Sequence, residues 1–469
     1  MDVPGHMPRM RTPRPDTTRI SSMTQAGPAG SGPGAGMKIL FAFENPLPST
    51  EADAEVFVTT ARYLAPLVAR AWLHVPMRDR AACAALQQAM GQQATGQQAT
   101  GRQATDLSVI RAWAPPAPAG LRHLACGLTI VWRRAFRQAS FVYTRNLWIA
   151  WVSILFRQRV VFDHYRPWPD QIPPLRRWLH RLMCHERFVI NICHSDYTRQ
   201  KYLDLGIPAE KLHCIRNGFE PGRLRTPMAA DAARRALDIP ADARTVVYTG
   251  RVNHKKGLPV VIEAARMLPD LLFILVGSYG EGPIEDMARD LPNVRIVPFQ
   301  PPEVLSQYVF AADVLLIPPS LQPLARYGST VLPLKLFFYM ASGRPILAGN
   351  TPDVREVLRH DQNAWLCQPD SPPALADALR RLMDDPALST RLAATALAES
   401  QALTWDARAN RIIAAIAERM TAPSTPAGVW DGAQRRAWRR QSWRWLVHLL
   451  RTGSPVLPPD TIQGDPAPP

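Results

Sequence analysis

The residues of this 469-residue chain best suited to chemistry lie in one loop, Gly250-Arg251-Val252-Asn253-His254-Lys255-Lys256-Gly257. A short apolar run, Thr245–Thr249, precedes it, and a helical pattern with Pro259 near its start follows it. Gly250 lets backbone approach a ligand closely. Arg251 grips a phosphate in two-pronged fashion, and Lys256 adds a point charge beside it. A helix N-terminus adds free N–H groups and the positive end of its dipole. Together these suit a diphosphate at the C-terminal end of a strand. A second pair, Asp163-His164, ends another apolar run, Val160–Asp163. A histidine beside an aspartate at a strand end is equipped for acid–base work or for hydrogen bonding to a polar substrate; a satisfied structural histidine has the same signature.

The elements that must position these groups alternate strand and helix. Met37–Phe43 is the first clear strand, and Met37 reads as an alternative start. A helix carrying Val56, Ala61, Leu64 and Leu67 follows, with Thr50 and Asp53 as an approximate capping box. Strands are expected at 71–75, 141–143, 160–163, 188–193 and 212–216, and a helix over 121–136. The run Leu147–Phe156 is ten residues long, half a membrane span, and reads as a buried helix or strand. A second alternating set has strands at 245–249, 271–276, 294–298, 313–317, 344–348 and 363–367, with helices that include 352–359. In Thr330–Ala348, Leu334, Phe337, Phe338 and Ala341 recur at helical spacing. Pro333 suits the first turn, and Gly343 stops the helix. The predicted class is α/β with two doubly wound domains, ligand lying in the cleft between them at strand C-termini.

The expected organisation is a disordered leader over 1–36 and a first domain over 37–217. A second domain follows over 218–403, then a last helix over 404–420 and a basic tail over 421–469. The pentapeptide GQQAT-GQQAT-GRQAT at 91–105 is too short in period for a solenoid and reads as a surface insertion after a helix at 79–90. Net charge is +16, which favours anionic partners. The six cysteines are scattered without a CxxC pair, which argues against a zinc site or disulfide frame and fits a reducing compartment. Residues 1–36 lack the apolar core of a signal peptide, so a cytoplasmic location is expected. No GxGxxG follows the first strand, which speaks against a nicotinamide dehydrogenase. The basic residues do not form an aromatic-interleaved face, so no nucleic-acid partner is expected. Residues 435–451 hold six arginines and no acid, with Trp438, Trp445 and Leu449 on one helical face. That pattern suits an anionic membrane surface, or a helix packed on the body.

Ordered blocks then carry a resemblance. They are ADAEVFVTTARYLA, VVFDHYRPW, ICHSDYTRQKYLDLGIPAEKLHCIRNGFEP, YTGRVNHKKGLPVVIEAARMLP, LLFILVG, NVRIVPFQPPEVLSQYVFAADVLLIPPS, PLKLFFYMASGRPILA, TPDVREVL and LTWDARANRI, in register from about Met37 to Met420. The sequence resembles the retaining, nucleotide-sugar-dependent glycosyltransferases of family 4, which have the GT-B fold. The resemblance implies transfer of a sugar from a nucleotide diphosphate to a glycan or lipid-linked acceptor, with no metal and no cofactor beyond the donor. It places Arg251 and Lys256 on the donor pyrophosphate, with Gly250 beside them. The loop Tyr327-Gly328-Ser329-Thr330 and Lys335 fall by the donor sugar and phosphates, and Phe299 by the base. His164 lies near the sugar, one position before the family's histidine, whose place Tyr165 takes. The helix from Thr404 crosses back onto the first domain.

Three departures qualify the resemblance. The family's two glutamates, eight positions apart, fall on Thr330 and Phe338, and neither is acidic. A phenylalanine accepts no hydrogen bond from a ribose. The glycine pair before the first helix is replaced by Glu51-Ala52-Asp53-Ala54. These departures motivate an alternative: a GT-B-shaped binding or scaffold protein that has lost catalysis.

Overall fold

The computed structural model describes residues 32–49, 52–77, 79–96, 107–112, 119–224, 228–322, 332–422 and 432–452. The alternating apolar runs form two parallel sheets. The first contains β1 (Lys38–Ala42), β2 (Arg70–Pro76), β3 (Leu107–Ala112), β4 (Phe141–Thr144), β5 (Val160–Asp163), β6 (Phe188–Cys193) and β7 (Leu212–Cys214). Its order is β3-β2-β1-β4-β5-β6-β7. The second contains β8 (Arg244–Thr249), β9 (Leu271–Ser278), β10 (Val294–Pro298), β11 (Val314–Leu316), β12 (Ile346–Gly349) and β13 (Trp365–Cys367), in the order β10-β9-β8-β11-β12-β13. Strands such as β6, buried along their whole length, read as continuous apolar runs because helices cover both sheet faces. In each sheet the strand order reverses beside the first strand, so a crevice opens between β1 and β4 and another between β8 and β11.

Several expectations change. β3 is an edge strand that the sequence pattern did not reveal, because the repeat and the Pro-rich 114–118 mask its alternation. The helix before it runs over Arg80–Gly96 and so takes in the first pentapeptide; residues 97–106 lie outside the described residues, as do residues 1–31 of the leader. The helix expected over 121–136 is two, Ala119–Val131 and Arg134–Gln138. Only a single 3-10 turn, Val354–Glu356, forms in place of the helix at 352–359. Pro333 is the N-cap of the helix Leu334–Met340 rather than inside its first turn, while Gly343 does take the left-handed conformation (φ 69°).

The chain passes between the sheets twice, and the two passes lie side by side. Phe219 N–H donates to Leu403 O at 3.0 Å, and Trp405 N–H donates to Phe219 O at 3.1 Å. A Cβ on Gly218 would lie 2.6 Å from the Thr404 carbonyl carbon, so only glycine permits this approach. Thr404 then caps the helix Trp405–Thr421 through Ala407 N–H. Trp405, Ala409, Ile412, Ile413 and Ile416 of that helix join the apolar core of the first sheet. Elsewhere Glu356 accepts from Asp196 N–H (2.9 Å) and Tyr197 N–H (3.1 Å), so a second-domain carboxylate occupies the N-terminus of a first-domain helix, Asp196–Asp204.

The deepest link is charged. Arg408, 1% exposed on the crossover helix, donates to Asp163 Oδ2 at 3.0 Å and to Thr60 Oγ1 at 3.0 Å. Removing one partner of such a pair strands a buried charge. Arg408→Ala is therefore expected to cost about 3–5 kcal/mol of stability in urea denaturation; a loss within error would mean that the pair does not tie the helix down.

Candidate active site

The first crevice collects polar groups at the ends of β1, β4, β5 and β6. Asp163 ends β5 and is 1% exposed. Its Oδ1 accepts from His194 Nε2 at 2.5 Å, and its Oδ2 accepts from Tyr143 Oη at 2.5 Å as well as from Arg408. Burial alone would raise this carboxyl. Arg408 and His194 outweigh it and hold Asp163 well below the usual carboxylate range. With both oxygens engaged, Asp163 meets the expectation of a polar strand end but faces the protein rather than the cleft.

His164 follows it, 7% exposed. Arg166 N–H donates to its Nδ1 at 2.9 Å, which leaves the ring proton on Nε2. The ring stacks on Tyr165 (centroids 4.9 Å) and Phe162 (5.6 Å). Burial, then Arg145 and Arg166, push its pKa well below the ordinary histidine value, so the imidazole is neutral and offers one N–H. The Tyr165 ring carries the guanidinium groups of Arg145 (5.6 Å) and Arg166 (5.5 Å) near its centroid.

Two further groups were not singled out in the sequence. Arg145, just past β4, pairs with Asp53 Oδ1 at 2.8 Å and also donates to Asp53 O at 3.0 Å and Asp163 O at 3.1 Å. The acid in the Glu51-Ala52-Asp53-Ala54 segment is thus paired with a buried arginine. Glu44, two residues past β1, is 8% exposed; its Oε2 has no hydrogen-bond partner among the described residues. Burial raises its pKa. An acid two residues past the apolar strand KILFA was the available signal.

The second crevice gathers cations. Gly250 follows β8 with φ of 126°, a conformation that favours glycine. A Cβ there would lie 2.8 Å from Lys335 Nζ. Lys335, in the first turn of Leu334–Met340, sits 3.6 Å from the Tyr248 ring centroid. Burial, then Lys256, hold its ammonium well below the usual lysine range; burial, then Arg251, lower Lys256. No carboxylate among the described residues pairs with Arg251, Lys256 or Lys335. Arg251 lies over the Tyr279 ring at 4.9 Å, and Tyr279 stacks with Phe299 at 6.4 Å. Both aromatics are about two-thirds exposed, at 69% and 67%. The structure therefore brings Gly250, Arg251, Lys256, Lys335 and Phe299 to one end of the second sheet. Gly328, Ser329 and Thr330 lie outside the described residues. Phe338 is half-buried against the second-domain core. Leu334, at the start of the same helix, packs against the core of the first sheet, so the two crevices adjoin.

One trio, Asp196, Cys214 and Glu356, brings ligand-type atoms within 4.8 Å of one another. Arg216 already occupies its carboxylates, at 2.5 Å and 3.2 Å.

Two facing sheets of this topology, tied by a returning C-terminal helix, are the GT-B fold. Anabaena HepE, solved in complex with UDP and glucose, superposes with a TM-score of 0.61 at 18% identity, over 81% of this chain and 100% of that one. A glycosyltransferase from Rickettsia africae gives 0.65 at 13% identity, over 83% and 100%. Residues 230–398 match the family model of the glycosyl transferases group 1. The amylovoran biosynthesis glycosyltransferase AmsK of Erwinia amylovora is 28% identical over 48% of this chain and 52% of its own length. A D-inositol 3-phosphate glycosyltransferase of Thermomonospora curvata is 27% identical over 46% and 51%. The chain spans about half the length of the curated relatives it matches.

The buried histidines set a pH dependence. A histidine whose folded pKa is depressed contributes stability that is present above its unfolded pKa and lost as pH falls below it. His164 and His194 are both depressed, chiefly by burial. The thermal midpoint is therefore expected to decline once pH drops below about 6.5; a midpoint unchanged between about pH 7 and 5 would contradict the neutral assignment.

Proposed function

We propose that this protein is a retaining glycosyltransferase of the family 4 type. It transfers a sugar from a nucleotide diphosphate to a glycan or lipid-linked acceptor in polysaccharide or glycoconjugate biosynthesis. The observation that carries the reading is the group of three basic side chains, Arg251, Lys256 and Lys335, that no carboxylate among the described residues pairs with at the β8/β11 crevice. Such a group is costly until an anion binds. A diphosphate supplies that anion and leaves with its charge stabilised as the glycosidic bond breaks. The Tyr279–Phe299 pair offers a stacking platform for a nucleobase, and a neighbour of the same fold, HepE, was solved in complex with UDP and glucose. Gly328, Ser329 and Thr330 are proposed to complete the sugar and phosphate contacts.

On the facing side, His164 Nε2–H and Glu44 present hydrogen-bonding groups to the sugar or the acceptor. We assign Asp163 a positioning role: it fixes the crossover helix and His194, and so the strand end that carries His164. The departing phosphate takes the acceptor proton, and the protein contributes alignment and charge stabilisation. The donor brings its own activated bond, so the reading needs no cofactor or metal. AmsK's role in amylovoran biosynthesis supports a polysaccharide context.

No described helix is long and apolar enough to cross a membrane. A cytoplasmic enzyme at an anionic membrane surface fits the helix Gly432–Thr452, which contains 435–451. Its exposed stripe is Trp443, Leu446 and Leu450, at helical spacing, while Trp445 and Leu449 are half-buried. This stripe, rather than the face expected to hold Trp438, Trp445 and Leu449, is the one available to a lipid surface; the Trp438 side chain lies outside the described residues.

A thermal-shift panel of UDP- and GDP-sugars tests the reading, since a true donor raises the midpoint by mass action. Arg251→Ala removes a charged phosphate contact and is expected to raise the donor Kd about tenfold or more; stabilisation by no nucleotide sugar at millimolar level would sink the proposal. The burial of Phe338 against the core favours the second reading, a binding protein with a degenerate donor site. Under it Phe338→Glu gains donor affinity that the parent lacks. Under the enzyme reading the parent already binds, and Phe338→Glu brings no donor-binding activity that was absent before.

A further inference from the structure

Between Asp106 and Asp163 the chain contains eight arginines and no acidic residue. The same stretch contains six large apolar residues that the fold leaves exposed: Leu121 (62%), Leu128 (44%), Trp132 (83%), Trp148 (40%), Leu155 (62%) and Phe156 (49%). They are not scattered. Leu121, Leu128 and Trp132 stand seven and four residues apart and so share one side of the helix Ala119–Val131 and its end. Trp148 and Leu155 stand seven apart on the helix Leu147–Leu155. The two helices lie side by side on one face of the first sheet, where Ile130 and Ile149 meet in a common core cluster. Each therefore turns one apolar stripe into the sheet and a second one outward. Arg134 and Arg137, two and five residues past Trp132, and Arg157, next to Phe156, are exposed as well.

We infer that this face of the first domain docks on an anionic lipid bilayer, independently of the C-terminal helix. Charge selects the occupant. A second copy of the chain would bring one arginine-rich stretch without acids of its own against another, and like charges would oppose the pairing. A bilayer containing anionic lipid supplies both an apolar interior for Leu, Trp and Phe and a negative surface for the arginines. Tryptophan suits the boundary, with its apolar body in the acyl region and its N–H at the headgroups. The placement fits the site. Asn146 Oδ1 accepts from Trp148 N–H (2.9 Å) and Ile149 N–H (3.2 Å), which fixes Trp148 directly beyond Arg145, at the mouth of the β1/β4 crevice. Bilayer docking there brings a lipid-linked acceptor to the cleft by its head end. The purpose of the face rests on the proposed transfer reaction; its binding does not.

The test is cosedimentation of the full chain with vesicles of phosphatidylcholine alone and of phosphatidylcholine mixed with phosphatidylglycerol, without donor or acceptor. The parent is expected to bind the mixed vesicles and not the neutral ones. The double variant Trp132→Asp/Phe156→Asp changes only exposed side chains; it is expected to keep its thermal midpoint and to bind about tenfold more weakly or worse. A chain ending at Ala422 is expected to bind better than that double variant. The proposal is overturned by a parent that ignores phosphatidylglycerol, by a double variant that binds like the parent, or by loss of all binding on removal of 423–469. It is equally overturned by a concentration-dependent dimer, abolished in the double variant, in a chain that binds no vesicles. Because no sugar transfer is read, a negative result here leaves the donor-site reading to its own test.

Discussion

The geometry of the cleft depends on one buried charge. Asp163 accepts hydrogen bonds from Tyr143, His194 and Arg408, and its backbone carbonyl accepts from Arg145. Arg408 comes from the helix that returns from the second domain. A buried ion pair of this kind contributes little net stability compared with an apolar replacement, but breaking it is costly. Its effect is to select one seat for the returning helix. That seat fixes the two adjacent chain passes at Gly218 and Thr404, and through them the placement of the second crevice beside the first. Glu356 on the Asp196–Asp204 helix N-terminus restrains the same interface from a second point.

The two crevices handle charge in opposite ways. In the first, Arg145 has Asp53, Arg408 has Asp163, and the histidines are neutral; Glu44 Oε2 is an unengaged carboxylate oxygen there. In the second, Arg251, Lys256 and Lys335 have no acidic partner among the described residues, and they are held together by Gly250, the Tyr248 ring and the helix that carries Lys335. A site preorganised in this way places its electrostatic cost in the folded protein and recovers it when a diphosphate arrives. In the proposed reaction the sugar lies between a basic wall that takes the leaving group and a neutral wall that offers hydrogen bonds to hydroxyls.

Local signals in the sequence made much of this legible. The alternation of apolar runs revealed both sheets, and the strand-end position of Gly250-Arg251 pointed to the cation crevice. Failures came where distance in the chain or asymmetry of packing decides. Asp163 looked available for chemistry, because nothing local shows that Arg408 will engage it. β3 was hidden by the repeat and prolines that flank it. Helical spacing in 435–451 revealed that apolar stripes exist, yet it did not say which stripe the body would cover. The outward apolar surface of the helices at 119–131 and 147–155 escaped for the same reason: Leu147–Phe156 looks uniformly buried in sequence, and only packing shows that Trp148, Leu155 and Phe156 remain outside.

The central claim is that the unpaired cations of the second crevice recognise a diphosphate. Isothermal titration of the full chain with a nucleoside, its monophosphate and its diphosphate tests this most directly. The account predicts that affinity rises steeply with the second phosphate, by about tenfold or more over the monophosphate, and weakens as salt is added. Equal affinity for monophosphate and diphosphate, or binding of the diphosphate that is indifferent to salt, would contradict it.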